Sequence, residues 1–152
     1  MSDQHRPGGL TALAVLNFLF GCLGLLGALG LAALAPMLAQ GLPPGLSEQQ
    51  RAQLEALTTL GTLPFVLTIA SSAIGGVLLI VSGIGYLGQK RMLGRTVGNA
   101  YAVFAVLTTI PITLWLPAQV GGGLNISTIL NFIYPVLTAV LVNVTFKDDL
   151  TR

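Results

Sequence analysis

The sequence predicts an all-α integral membrane protein, a bundle of four transmembrane helices with a short amphipathic helix outside the membrane. Two observations predict this class. Only 8% of the 152 residues are charged and 53% are hydrophobic, whereas a soluble domain carries about 25% charged residues. The few charges also stand at the ends of long uncharged runs, so most of the surface must face lipid. The chain, residues 1–152, is expected to form a single membrane domain.

The first uncharged run lies between Arg6 and Glu48, and its apolar part predicts a transmembrane helix over residues 9–38. About 20 apolar residues span a bilayer, so the run is long enough. It holds the only cysteine, Cys22, which excludes an intramolecular disulfide. The sequence LFGC is similar to a lipoprotein signal, but the apolar run continues beyond it instead of giving way to a polar start. We expect Cys22 to be an ordinary buried helix residue, with lipidation as the less favoured alternative.

A short helix outside the membrane is predicted over residues 47–60. Ser47 and Gln50 have the spacing of a capping box, in which each side chain bonds the backbone amide of the other residue. Leu54 and Leu57 give the segment one apolar side, so we expect it to lie along the outer membrane surface. It can serve as a strap between two spans or offer a surface to a partner.

Three further spans follow this helix. Residues 64–87 predict the second span. The uncharged run of residues 96–146 is too long for one span, and the sequence LPAQVGGGLN interrupts it with a turn composition. It therefore divides into a third span over residues 96–116 and a fourth over residues 126–146.

The distribution of Lys and Arg residues predicts the orientation. With four spans, six of the seven fall on one side of the membrane and only Arg51 falls on the other. Positively charged short loops stay in the cytoplasm, which predicts that both termini are cytoplasmic. The segment GQKRMLGR, residues 88–95, is then a cytoplasmic hairpin. Its bases Lys90, Arg91 and Arg95 are predicted topology anchors that can also hold anionic lipid headgroups.

Small residues at a four-residue spacing predict where the first two spans pack, on each other or on another subunit. Such residues let helix backbones approach closely. We expect Leu25, beside them in sequence, to face lipid. The packing residues are Gly24, Ala28 and Ala32 in the first span and Ser72 and Gly76, or alternatively Ser71 and Gly75, in the second.

Aromatic residues near the ends of spans are typical of the membrane interface. Tyr86 and Tyr101 lie near the predicted inner ends of the second and third spans. We therefore expect both tyrosines at the level of the lipid headgroups.

The predicted spans contain no Asp, Glu, Lys, Arg or His. Proton relays and ion paths depend on such groups, and a serine nucleophile needs a basic activator, so no catalytic residue and no enzymatic activity are expected. His5 is the only histidine, so neither a metal site nor a cofactor is expected. The bases form no stripe or arm, and nucleic acid is therefore not an expected partner.

The spans offer neutral polar residues and two prolines instead. Pro111 and Pro135 lack an amide proton, so each frees the carbonyl group four residues earlier. Thr108, Thr109 and Asn131 can line a solute path beside these kinks. The favoured interpretation is that they satisfy nearby polar groups and shape the bundle.

Three stretches carry a family resemblance: RPGGLTALAVLNFLFG, the basic hairpin GYLGQKRMLGRTVGNAYAV, and NFIYPVLTAVLVN before a charged tail. Together they resemble small bacterial four-helix membrane proteins of unknown function. Such proteins often carry Trp before the Gly-Arg pair of the hairpin, where this sequence has Leu93. The resemblance implies a multi-pass protein of the bacterial inner membrane, and it brings no activity and no site residues with it.

These observations favour a noncatalytic membrane protein that is an accessory or assembly subunit of a larger membrane complex, or that associates with itself. Its partners are then the lipid bilayer and other membrane subunits or a second copy. The alternative is a small transporter or channel for a neutral or lipid-like solute, lined by Asn131, Thr108 and Thr109. A polar cavity open to one side would favour the alternative.

Overall fold

The computed structural model describes residues 8–41, 44–59, 61–115, 126–147 and 150. The helices are α1 (Gly8–Ala39), α2 (Glu48–Thr59), α3 (Thr62–Leu87), α4 (Val97–Trp115) and α5 (Ile126–Val140). Two π-helical segments, Met92–Thr96 and Leu141–Thr145, precede α4 and follow α5. No strand occurs in these described ranges, and the all-α class predicted from the sequence is confirmed.

Helices α1 and α3 are long and apolar enough to cross a membrane, judged by length and composition. The shorter of the two, α3, has 26 residues, which corresponds to about 39 Å at the rise of an α-helix. The hydrocarbon core of a bilayer is about 30 Å thick. Side chains such as Leu26, Leu29 and Leu63 are 64%, 67% and 69% exposed. A surface of this kind is unfavourable in water and neutral in hydrocarbon.

The capping box predicted before α2 is present. The Gln50 amide donates to Ser47 Oγ at 3.3 Å, and the Ser47 amide donates to Gln50 Oε1 at 3.0 Å. Both amides would otherwise be unpaired in the first turn of the helix. Gly45 and Gly61 turn the chain before and after α2 with φ angles of 88° and 82°, which glycine adopts without steric strain.

Helical structure before α4 begins at Met92, four residues before the third span that the uncharged run predicts. The prediction placed the start after the last base, because a charge does not belong in hydrocarbon. A charged residue at the end of a bundle can lie in a helix, and Arg95 does so.

Among the described helices, α1 and α3 have the most extensive contact. A Cβ atom at Gly21 would lie 2.9 Å from the Gly76 carbonyl oxygen, and one at Gly76 would lie 2.8 Å from the Gly21 carbonyl oxygen. Neither position has room for a side chain, so the two backbones meet there. Gly24 continues this contact one turn further, 3.4 Å from the Ser72 carbonyl oxygen as measured from its Cβ position.

Two expectations about this helix pair need correction. Ala28 is buried. Ala32 is exposed, so it does not pack against α3, and its packing on another subunit stays a prediction. Gly21 makes the close approach that the four-residue spacing did not include. Leu25 does not face lipid. It is half-buried, with its Cγ 3.0 Å from the Cβ position of Gly76. The reason is that α1 crosses α3, so the residues that face the partner shift around α1 along its length.

The end of the bundle that contains the turn between α3 and α4 is called here the hairpin end. It is closely packed around a buried apolar cluster. Tyr86 is 0% exposed at its centre, so the prediction of an interfacial tyrosine is wrong for this residue. Its ring occupies the space that side chains at Gly94 and Gly98 would take. The other members of the cluster are Leu10, Leu13, Ala14, Val142, Phe146 and Leu150.

At the opposite end, called the α2 end, the described parts of α1 and α3 have no buried residues. All buried residues of α1 lie from Leu10 to Ala28, and those of α3 lie from Gly76 to Tyr86. The helices therefore pack along their hairpin-end halves and separate beyond them. The most extensive contacts run from α1 to α3, from α3 to α4 and from α4 to α5. This arrangement is called here the arc, and α1 and α5, which contact each other less, are its two flanks.

Candidate functional site

A cavity of about 560 Å³ lies among α1, α3, α4 and α5, where the four helices begin to separate. The described side chains and glycines that line it are uncharged. They form an aromatic floor on the side of the hairpin end, an apolar middle, and a rim of hydroxyl groups toward the α2 end.

Three aromatic rings form the floor. Tyr134 of α5 packs edge-on against Phe20 of α1, with ring centroids 4.8 Å apart, and against Tyr101 of α4, with ring centroids 6.5 Å apart. Edge-to-face pairs at these distances are favourable. They bring the two flanks of the arc together and close the cavity toward the hairpin end.

A buried chain of hydrogen bonds lies below the floor. The Tyr134 hydroxyl donates to Asn17 Oδ1, Asn17 Nδ2 donates to Ser82 Oγ at 2.6 Å, and the Ser82 hydroxyl donates to the Leu79 carbonyl oxygen at 3.0 Å. Asn17 and Ser82 are both 0% exposed. Because an unpaired polar group is costly in apolar surroundings, these bonds fix α5, α1 and α3 relative to one another.

The middle of the cavity exists because α3 presents Gly75 to it. A Cβ atom at Gly75 would lie 3.9 Å from the Phe104 ring and 4.0 Å from the Tyr101 ring. A side chain there would enter the cavity without striking any backbone. The neighbouring Gly76 also borders the cavity, but its Cβ position points at the backbone of α1. Ala105 and Ile133 contribute to the apolar wall.

The rim consists of hydroxyl groups from α3 and α4. The Ser71 hydroxyl donates to the Thr68 carbonyl oxygen at 3.0 Å, and the Thr108 hydroxyl donates to the Phe104 carbonyl oxygen at 2.9 Å. Such bonds to the preceding helical turn occupy the hydroxyl proton and leave the lone pairs of the oxygen free. The rim residues are Ser71, Ser72, Thr108 and Thr109.

Of the residues predicted to line a solute path, Thr108 and Thr109 border this cavity, together with Pro135. The side chain of Asn131 lies outside the described part of the chain. Pro111 lines a second, smaller cavity of about 220 Å³ between α3 and α4, which shares Ser71, Phe104 and Thr108 with the first.

The sequence analysis missed Phe20, Tyr101 and Tyr134 as lining residues. Their signal was present, because a tyrosine inside an apolar span needs a partner for its hydroxyl group. The sequence predicted Tyr101 as an interfacial residue and gave no prediction for Tyr134, so neither was expected in a cavity.

The three bases of the hairpin are placed differently from one another. Lys90 and Arg91 are exposed, whereas Arg95 is half-buried. Arg95 Nε donates to Asn143 Oδ1 at 2.9 Å, and Asn143 Nδ2 donates to Asn99 Oδ1 at 2.6 Å. Arg95 and Asn99 thus join the beginning of α4 to the π-helical segment after α5.

Cys22 is exposed on α1, so the expectation of a buried cysteine is wrong. It lies in the part of α1 that meets α3, but on the other face of the helix. Within the described residues, no group of three or more His, Cys, Asp and Glu side chains is arranged to hold a metal ion.

The chain matches no protein-family model, and no match to it was found among curated proteins or solved structures. The cavity is therefore the physical basis on which a function can be proposed.

Proposed function

We propose that the protein is a noncatalytic four-span protein of the bacterial inner membrane that binds a neutral, lipid-like solute in the cavity. The observation that carries this proposal is a cavity of about 560 Å³ whose described lining is uncharged. Pockets for small molecules measure about 300–1,000 Å³ and are mostly apolar, with a few polar groups that orient the ligand. The aromatic floor and the hydroxyl rim fit that description.

The exposed surface supports a membrane location for all four long helices. On α4, Leu107 and Leu114 are 64% and 76% exposed, and on α5 Ile133 and Val136 are 52% and 53% exposed. Hydrocarbon accommodates such side chains, and water does not. With α1 and α3 this gives four spans, and α2 is left outside the membrane.

The charges support an orientation with the hairpin end in the cytoplasm. Lys90, Arg91, Arg95 and Lys147 lie at the hairpin end, while Arg51 lies on α2 at the other end. Because positively charged segments stay on the cytoplasmic side, both termini are then cytoplasmic and the cavity opens toward the outer half of the bilayer.

The shape of the arc supports entry of the solute from that half. Below the cavity, the route to the hairpin end is blocked by the floor, the Asn17–Ser82 hydrogen bond and the buried cluster around Tyr86. Above it, the described helices are separated. In a transporter, the bond between Tyr134 and Asn17 would have to break for the solute to pass.

The proposal is tested by filling the cavity. Gly75→Leu places an isobutyl group among the lining residues without a backbone clash. Gly27→Leu makes the same chemical change on α1 where nothing lies within 4 Å. Each protein is purified in mild detergent, and the molecules bound to it are extracted into organic solvent and identified by mass spectrometry.

We expect a neutral amphipathic molecule in the wild type and in Gly27→Leu, and its loss from Gly75→Leu. The same molecule in equal amount in all three proteins would place binding elsewhere on the surface. A wild type that carries no such molecule, and that takes up none from vesicles, would refute the proposal.

A second candidate function, assembly with another membrane subunit or a second copy, is favoured by the outward side of α1. Cβ atoms at Gly27 and Gly30 would meet nothing within 4 Å, so small residues lie there without a helix to approach. Exposed Cys22 offers the test. An oxidant should crosslink Cys22 between copies in the membrane if α1 pairs with itself, and the absence of a dimer in Cys22→Ser is the control.

A further inference from the structure

The state of the rim hydroxyls limits the kind of head group that the cavity can hold. The Ser71 hydroxyl donates to the Thr68 carbonyl oxygen, and the Thr108 hydroxyl donates to the carbonyl oxygens of Phe104 and Ala105, with Thr108 Oγ1 at 2.9 and 3.2 Å from them. Both oxygens can therefore only accept a hydrogen bond from a ligand. A head group that meets them must donate a proton.

The other hydroxyl groups of the cavity have different capacity. Ser72, Thr109 and Tyr101 form no hydrogen bond within the described part of the chain. Each of them can both donate and accept. Of the three, Ser72 and Thr109 belong to the rim. A head group at the rim can therefore donate to Ser71 or Thr108 and accept a hydrogen bond from Ser72 or Thr109.

An alcohol meets both requirements. Ketones, esters and ethers have no proton to donate to Ser71 or Thr108, so they lack the additional hydrogen bond that an alcohol forms with a rim oxygen. A carboxylate, a phosphate or an ammonium group would be buried without a counter-charge, because the described lining is uncharged, and that is far more costly.

The layers of the cavity give the ligand a direction. On α3 the lining runs from Ser71 at the rim to Leu79 at the floor, which corresponds to about 12 Å along the helix axis. The polar groups cluster at the rim, and the rings of Phe20, Tyr101 and Tyr134 meet at the far end. The body of the ligand therefore lies among apolar side chains with its distal end on aromatic rings.

We propose that the solute is a neutral amphiphilic alcohol, bound with its hydroxyl group at the Ser71–Thr108 rim and its apolar body on the aromatic floor. This inference rests on the proposed function, since it names the class of molecule that the same cavity takes. Because of this hydroxyl group, the alcohol is expected to bind more tightly than an ester, ether or ketone lipid of the same length.

The test compares two probes that differ in one proton donor. The purified protein in lipid nanodiscs is titrated with pyrene-labelled decanol and with the methyl ether of the same molecule, and the dissociation constants are measured by fluorescence. We expect the alcohol to bind roughly three- to tenfold more tightly than the ether, which is the effect of one buried hydrogen bond.

Variants of the rim test whether the rim oxygens cause this difference in affinity between the alcohol and the ether. Thr108→Val keeps the shape of the side chain and removes the accepting oxygen, so the preference for the alcohol should fall to less than half of its wild-type value. Thr108→Ser should keep it. Thr68→Val is the matched control, because the Thr68 hydroxyl also bonds the preceding turn, at 2.9 Å to the Pro64 carbonyl oxygen. Thr68 borders the smaller cavity alone, whereas Thr108 borders both cavities.

The possible outcomes distinguish a failure of the alcohol inference from a failure of the proposed function. If the alcohol and the ether bind equally while Gly75→Leu abolishes the binding of both, the alcohol inference fails and the cavity remains the binding site. The same holds if Thr108→Val and Thr68→Val have equal effects. If Gly75→Leu leaves the binding of both probes unchanged, the proposed function fails together with the inference.

Discussion

The two halves of the bundle use the same residue type for opposite results. In the half near the hairpin end, Gly21 and Gly76 bring two helix backbones into contact, and Gly94 and Gly98 make room for the ring of Tyr86. Where the helices begin to separate, Gly75, the residue next to Gly76 on α3, faces the cavity. A glycine in a span therefore only leaves space beside its backbone. Whether that space is filled by a neighbouring helix or remains a cavity depends on the residues that face the glycine.

Polar side chains show the same contrast. Near the hairpin end, Asn17 of α1 bonds Ser82 of α3, and Tyr134 of α5 bonds Asn17. Around the cavity, Ser71 and Thr108 bond carbonyl groups of their own helices. Bonds between helices hold the bundle together, whereas bonds within a helix leave the helices free to separate and leave the oxygen free for a ligand.

Among the substitutions that test this difference between the two halves, one at Tyr86 is expected to change the free energy of unfolding most. Tyr86→Ala empties the centre of the buried cluster, and the loss of a buried aromatic side chain costs about 3–5 kcal/mol in the free energy of unfolding. Tyr86→Phe should cost less than about 1 kcal/mol, because the hydroxyl has no hydrogen-bond partner within the described residues. Unfolding in a series of dodecyl sulfate concentrations measures both.

Equal destabilisation by Tyr86→Ala and Tyr86→Phe would show that the hydroxyl group, rather than the ring, holds this end together. A loss below 1 kcal/mol for Tyr86→Ala would mean that the hairpin end is not the stable half. The stability of the bundle would then come from contacts outside the hairpin end.

The next effect concerns the contact between α1 and α3. Gly76→Leu forces a side chain against the Gly21 carbonyl oxygen, 2.8 Å from its Cβ position, and we expect a loss of about 3 kcal/mol. Gly27→Leu has nothing within 4 Å and should stay within about 0.5 kcal/mol of the wild type. Thermal unfolding in detergent is the measurement, and equal melting temperatures for the two variants would contradict the assignment of faces.

The sequence predicts the helices well because hydropathy and charge act locally. An uncharged apolar run makes a helix in lipid whatever its neighbours are, and the Ser47–Gln50 capping box depends on residues three apart in sequence. The all-α class and the capping box before α2 could therefore be read without a structure.

The cavity could not be predicted in the same way, because its lining comes from four helices that are distant in sequence. Which side of α1 meets α3 depends on the crossing of the helices, so the four-residue spacing found Gly24 and Gly76 and missed Gly21. The interface rule for aromatic residues failed at Tyr86 because it considers depth in the membrane alone. The space that Gly94 and Gly98 leave for the ring appears only when α3 and α4 are placed together.

The smallest effect compares one hydroxyl group from each half. Ser82→Ala removes the acceptor of Asn17 Nδ2, a bond of 2.6 Å between α1 and α3 with both residues fully buried. Interhelical hydrogen bonds in membranes contribute about 0.6–2 kcal/mol, so we expect a loss in that range. Thr108→Val removes a hydroxyl whose hydrogen bonds stay within α4, and the free energy of unfolding should change by less than about 0.5 kcal/mol. Dodecyl sulfate titrations of the two variants and of the double variant measure the difference, and additive effects are expected because the two sites share no partner. A loss for Thr108→Val as large as that for Ser82→Ala would mean that the rim oxygens stabilise the bundle, and they would then not be free to receive a ligand.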